Sequence, residues 1–174
     1  MKNLIRLSGH ATWLLIIFLL VQVTDGRAQL KKMSDKDLTD ESTAVFYGKC
    51  SRKTSNWDEN HRIIYTYVTI VPEEYLKGNL GSEVVVAVPG GQVGDIIYEV
   101  SEMPVFNEGE EVVAFVWKHP SGKNLVTGGS LGKMKIEKDL KTGKRWVKTK
   151  EDDFPGNGES LENFVAKVKG YMKH

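Results

Sequence analysis

"VAVPGGQVGDIIYEVSEMPVFNEGEEVVAFVW", Val86 to Trp117, sets a glycine-rich turn between strand-like runs, and the job of that turn decides the fold. A phosphate-binding loop follows a strand and opens directly into a helix, whose N-terminus supplies free amides and the positive end of the dipole. Here β-branched and aromatic residues follow Gly94 without helical period, and neither GKT nor GKS occurs. Gly90 and Gly91 are therefore read as permitting positive φ in a tight reversal or a bulge. Pro104 fixes an extended approach and Asn107 to Glu110 make the next turn. Val112, Val113, Phe115 and Val116 then form a strand buried on both faces.

Working outward, Ala44 to Ser51 and Ile63 to Val71 are rich in β-branched and aromatic residues, and the polar 52–62 between them reads as the turn region of a long hairpin. In the second run Ile64, Thr66, Val68 and Ile70 share one face, and Ile63, Tyr65, Tyr67, Thr69 and Val71 the other. Pro72 then suits the first position of a helical turn, "PEEYLKG", closed by Gly78. Further strands are expected at Glu83 to Val88, Ile96 to Val100, Val112 to Lys118, Leu125 to Gly128, Met134 to Glu137 and Trp146 to Thr149. Many short strands at close intervals predict a mostly β protein: a small antiparallel barrel, closed or partly open, over residues 44–150. A polar segment, 29–43, contains a short helix capped by Ser34 or Asp35 and leads into the barrel. The last segment, 151–174, is a loop followed by an amphipathic helix capped by Ser160. Its apolar face is Leu161, Phe164, Val165 and Val168, and it is expected to pack on the barrel.

The N-terminus reads as a secretory signal peptide, residues 1–28. Lys2 and Arg6 precede an apolar run from Trp13, and Gly26 and Ala28 sit at the small-residue positions for a cut before Gln29. The run is short for a membrane span, so a cleaved, exported protein of the periplasm, cell surface or medium is expected, without stable membrane insertion. The chain balances 24 basic against 23 acidic side chains, and loss of the leader keeps it near neutral. That balance argues against nucleic acid as a partner, since such binding needs concentrated positive charge. The single cysteine, Cys50, permits no internal disulfide and reads as a small buried hydrophobe.

Catalytic patterns are sparse. Beyond the leader the histidines are His61, His119 and His174, with no HExxH and no pair at helical spacing, so no metal ligands and no cofactor are assigned. Gly128, Ser130 and Gly132 match GxSxG, but a nucleophile elbow needs a helix next, and "KMKIE" reads as a strand. A serine hydrolase using Ser130 stays the alternative to a non-enzymatic protein. Neighbouring carboxylates such as Glu110 and Glu111 read as solvated charge rather than an acid/base pair. Asp58 with its neighbours, or Glu151 to Asp153, would be the only candidates for calcium.

The string "IYTYVTIVPEEYLKG…VVVAVPGGQVG…VSEMPVFNEGEEVVAFV…GGSLGKMKI" resembles a group of bacterial exported domains, some carried by chains that also contain matrixin-like metalloproteases. Those domains look like the OB-type barrel of tissue inhibitors of metalloproteinases. The likeness spans about Ala44 to Ile136 and rests on Tyr65, Thr66, Val68, Leu76, Lys77, Gly78, Pro89, Gly90, Gly91, Gly94, Pro104, Phe106, Gly109, Glu110, Phe115 and Gly132. It implies an OB-like barrel and, as one functional option, a protease-inhibitor-like module. The zinc-chelating N-terminal cysteine of those inhibitors has no counterpart at Gln29, so no residue role is carried over. The function expected is an exported, non-enzymatic barrel that binds a protein or a glycan, with Trp57, Tyr65, Tyr67 and Trp117 as the contact face.

Overall fold

The structure is a computed structural model and describes residues 33–148 and 158–173. The leader, the cleavage point near Ala28 and the acidic cluster Glu151 to Asp153 lie outside the described residues. Among the described residues, ten strands and two α-helices follow in chain order. They are α1 (Asp35–Glu41), β1 (Ala44–Trp57), β2 (Ile64–Lys77), β3 (Val84–Pro89), β4 (Gly91–Val93), β5 (Ile96–Tyr98), β6 (Glu111–Lys118) and β7 (Asn124–Val126). A 3-10 helix (Gly129–Gly132) leads to β8 (Lys133–Lys138), β9 (Arg145–Lys148), β10 (Glu159–Ser160) and α2 (Leu161–Tyr171).

Five strands close into a barrel in the order β1-β2-β3-β7-β6, sealed by a β1–β6 ladder, and β8-β9-β10 extend the sheet from β6. The expected all-antiparallel pairing fails at one seam, because β3 and β7 run parallel. Closure requires β1 and β2, each 14 residues long, to bend. Register shifts at Val45/Phe46, Tyr47/Gly48 and Cys50/Arg52 supply the bends.

The bend at Gly48 also explains why "PEEYLKG" is strand and not helix. Gly48 pairs with Pro72, and a Cβ on Gly48 would stand 2.2 Å from the Val71 carbonyl oxygen. Only glycine allows that approach, and the proline's missing N–H falls at the irregularity, where a ladder bond is dispensable. Beyond it Tyr75 packs on Phe46 inside the barrel, 5.3 Å between centroids, while Leu76 joins the outer cluster. That alternation is a strand's period. The other correction is at 52–57, expected as turn: it continues β1 to Trp57, and the reversal is confined to residues 58–63. This arm is polar on both faces, so it carries no hydrophobic alternation; its ladder to β2 and the Ser55–Thr66 hydroxyl contact at 3.0 Å hold it.

Two apolar layers result. The barrel interior holds Phe46, Val68, Ile70, Val84, Val86, Val88, Phe106, Val112, Ala114 and Val116. An outer layer lies between the other face of β1, β6, β8 and β9 and the helices, with Val45, Tyr47, Val113, Phe115, Met134, Ile136 and Val147 against Leu38, Leu161, Phe164 and Val168. β6 is thus buried on both faces. Ser34 caps α1 through a capping box with Asp37, and Ser160 caps α2 by accepting the Asn163 amide.

The glycine-rich turn opens no helix. Gly90 and Gly91 hold φ of 109° and 139°. Gly94, at φ 58°, takes the first central position of the two-residue turn between β4 and β5, and Asp95 takes the second. Positive φ at the first position alone is the pattern of a type II′ hairpin. The hairpin lies over the β1–β2 arm: a Cβ on Gly91 would meet the Thr66 hydroxyl at 2.4 Å and the Ser55 hydroxyl at 2.6 Å.

Candidate functional site

Strand register brings three of the four expected contact aromatics to one outer wall. Tyr67 pairs with Ala87 on β3, and Tyr65 with Pro89. Val86 and Asn124 are partners across the parallel seam, so Ala87 neighbours Leu125 on β7, and Leu125 pairs with Trp117 on β6. Tyr67, Ala87, Leu125 and Trp117 therefore form a row across β2-β3-β7-β6 on the face opposite the interior. The helices cover β6 at Phe115, whose ring meets Phe164 edge-on at 6.4 Å, and the C-terminal half of β2, where Leu76 joins the outer cluster and Glu74 pairs with Lys169; Tyr65 and Tyr67 stand in the other half of that strand.

Tyr65, Tyr67, Leu125 and Trp117 are half-buried: their bodies shield Ala87, which is 2% exposed, and part of each side chain meets solvent. The Tyr65 and Tyr67 ring centroids are 6.2 Å apart at 41°, and the Lys123 ammonium lies 5.6 Å from the Tyr65 centroid. At the other end the Trp117 and His119 rings meet at 5.2 Å and 70°. His119 Nδ1 accepts the Ser121 amide at 3.1 Å, so in the neutral ring the proton sits on Nε2. The wall thus presents amphipathic rings with a cation and an imidazole at its margins. Such a surface can stack on a planar or ring-shaped apolar face and hydrogen-bond its periphery.

Trp57 does not join it. Its partner across the hairpin is Ile64, whose side chain is fully buried, so Trp57 projects from the opposite face and packs on His61 at 6.4 Å and 30°. The sequence reading placed Trp57 in the turn region 52–62, and a turn residue has no strand face by which to place it.

Ser130 lies in the 3-10 helix, 8% exposed, with its Oγ 3.4 Å from a Glu102 carboxylate oxygen. His119 is engaged by Ser121 and Trp117 instead. Gly132 is needed for packing, since a Cβ there would stand 1.9 Å from the Thr127 carbonyl oxygen. Asp58 spends one carboxylate oxygen on the Arg62 and Ile63 amides, at 2.6 and 3.1 Å, and these bonds hold its pKa below the usual aspartate value. Its role is to fix the β1–β2 turn. Among the described residues no three His, Cys, Asp or Glu side chains gather as metal ligands.

Two features escaped the sequence reading. Glu110 is no solvated charge: with its side chain 7% exposed it pairs with Lys133 at 2.6 Å and accepts the Asn107 amide at 3.0 Å. A cleft of about 600 Å³ opens at the bulges, lined by Tyr47, Val71, Pro72, Glu73, Glu111 and Ile136. Arg145 spans its rim, bidentate to Glu73 at 2.7 and 2.9 Å and 3.8 Å from Glu111. Cys50 closes the wall, and burial pushes its thiol up to about 12. It is a packing residue at neutral pH.

Fold and wall define a closed five-stranded barrel flanked by two helices. No protein-family model matches the chain, and no curated protein matches it either. Among the described residues no helix is long and apolar enough to cross a membrane.

Proposed function

We propose that this chain is an exported, non-enzymatic barrel of the OB type that binds a glycan on the wall of Tyr65, Tyr67, Leu125 and Trp117. The reading of export rests on the charged, apolar and small-residue layout of residues 1–28. Support for the OB-type label comes from the strand order β1-β2-β3-β7-β6 with its parallel β3–β7 seam. The observation that carries the function is the row Tyr67, Ala87, Leu125, Trp117: aromatic rings on a sheet wall beyond the helical cover, with Lys123 and His119 beside them. Rings spaced along a sheet suit the repeating apolar faces of a linked sugar chain. A globular protein partner would demand on the order of 800 Å² from this side, and the wall's four large side chains are each half-buried.

Affinity electrophoresis through gels containing soluble β-linked polysaccharides tests this. Retardation that Tyr67→Ala and Trp117→Ala each abolish supports it; unretarded migration in every polysaccharide overturns it. A protease-inhibitor-like module remains the competing reading from the sequence resemblance, and inhibition of a matrixin-like protease by the purified chain, undiminished by Tyr67→Ala, would favour it.

A further inference from the structure

A second surface, independent of the aromatic wall, is the outer edge of β5. Ile96, Ile97 and Tyr98 are 53%, 64% and 39% exposed. β5 pairs with β4 and with no other strand among the described residues. Val93 and Ile96 close a two-residue hairpin, so the peptide groups of Ile96 and Tyr98 point to β4 and those of Ile97 point away. Soluble proteins guard such an edge with lysine, proline or a covering element. This one has none of the first two: Gly94 to Met103 contains no lysine and no proline.

Charge decides the occupant. No Lys or Arg occurs from Gly78 to Trp117, in a chain whose charges balance only as a whole, and exposed Asp95 and Glu99 flank the edge directly. A second copy fits poorly. Antiparallel pairing of two β5 strands about Ile97 sets Asp95 against Glu99, and parallel pairing sets each acid against its own counterpart. An extended peptide with apolar residues at its centre and Lys or Arg at both flanks meets the exposed backbone, the isoleucines and the acids together.

We propose that the β5 edge accepts a basic, apolar peptide segment as an added β-strand. The probe is a synthetic peptide of alternating valine and threonine flanked by lysines, titrated into the 15N-labelled protein and read by amide shifts and hydrogen exchange. Its controls are the same peptide with glutamates for lysines and one N-methylated at its centre. The expected result is shifts centred on Ile96, Ile97 and Tyr98, slowed exchange of the Ile97 amide, and binding at least about tenfold weaker for either control. The double variant Asp95→Lys, Glu99→Lys, changed only at exposed positions, should reverse the preference between the two charged peptides. Equal affinity for both charged peptides, shifts elsewhere, or dimerisation through β5 without peptide would overturn the proposal. Because the readout lies on β5, failure here leaves the polysaccharide test untouched, and the converse holds as well.

Discussion

Gly48 carries more of the architecture than its size suggests. The carbonyl of Val71 and the Cα of Pro72 occupy the space a side chain would need, at 2.2 and 2.8 Å from an added Cβ. Gly48→Ala must therefore open the bulge, and a thermal melt should show a loss of about 2–3 kcal/mol, a fall in Tm of roughly 10 °C. Glu110 and Lys133 make a second residue-scale prediction. Removing one partner, as in Glu110→Leu, leaves the other charge nearly buried and should cost about 3 kcal/mol, and adding Lys133→Met should recover most of it. Denaturant unfolding of the single and the double variant checks this. The thiol of Cys50 gives a third. An acid whose folded pKa is raised releases its proton later than in the unfolded chain, so its contribution is constant below the ordinary value of 9.0 and stability is lost as pH rises toward about 12. Thiol reagents at pH 8 should leave the native protein unlabelled and label it once unfolded. The buried character of Cys50 was legible from its strand context, whereas the burial of Glu110 was not: its partner lies 23 positions away and adjacency to Glu111 gives no hint of it.

Strands with an apolar face announced themselves. β6, with Val112 to Val116 all fully buried, and the apolar start of β2 are readable from residue type alone. The polar end of β1 and the "PEEYLK" half of β2 were not, because their conformation is imposed by partners distant in sequence: Arg52 to Trp57 by the ladder to β2, Pro72 by Gly48. α2 shows the reverse case, in which local pattern and tertiary role agree: Leu161, Phe164 and Val168 form its buried stripe. Phe164→Ala should cost about 3–4 kcal/mol in denaturant unfolding, since the ring is 2% exposed and lies edge-on to Phe115. An unchanged midpoint would mean that α2 does not dock as described.

At the scale of the whole molecule, near-neutral charge hides a segregated one. The stretch from Gly78 to Trp117 has no base, and Lys133, Lys135, Lys138, Lys141, Lys144, Arg145 and Lys148 crowd β8 and β9 with their turn. Ion pairs tie Arg145 on β9 to the barrel, join β8 to β9, and tie α2 to β2. Arg145 holds the pKa of Glu73 below its ordinary 4.5, and Lys148, with Lys135, does the same for Glu137; Lys169 on α2, helped by the Tyr47 hydroxyl, does so for Glu74. Carboxylates with lowered folded pKa stabilise fully above that ordinary value, and the stabilisation is lost as pH falls through the folded values. Tm should accordingly hold between pH 7 and about 5 and decline below about 4.5; a Tm that rises on acidification would contradict the pairing. Whole-chain composition averages this segregation away, although it stands in the order of residues; that three aromatics share a wall depends on which strands become neighbours.

An NMR titration of the 15N-labelled protein with soluble β-linked oligosaccharides such as cello-, xylo- and chitohexaose reads glycan binding at the aromatic wall directly. Glycan binding at the wall predicts saturable shifts at Tyr65, Tyr67, Ala87, Leu125 and Trp117 with one of these sugar classes, abolished by Tyr67→Ala. Saturable binding that leaves this row unmoved and shifts the cleft at Tyr47 and Glu111, or no binding to any of them, would contradict it.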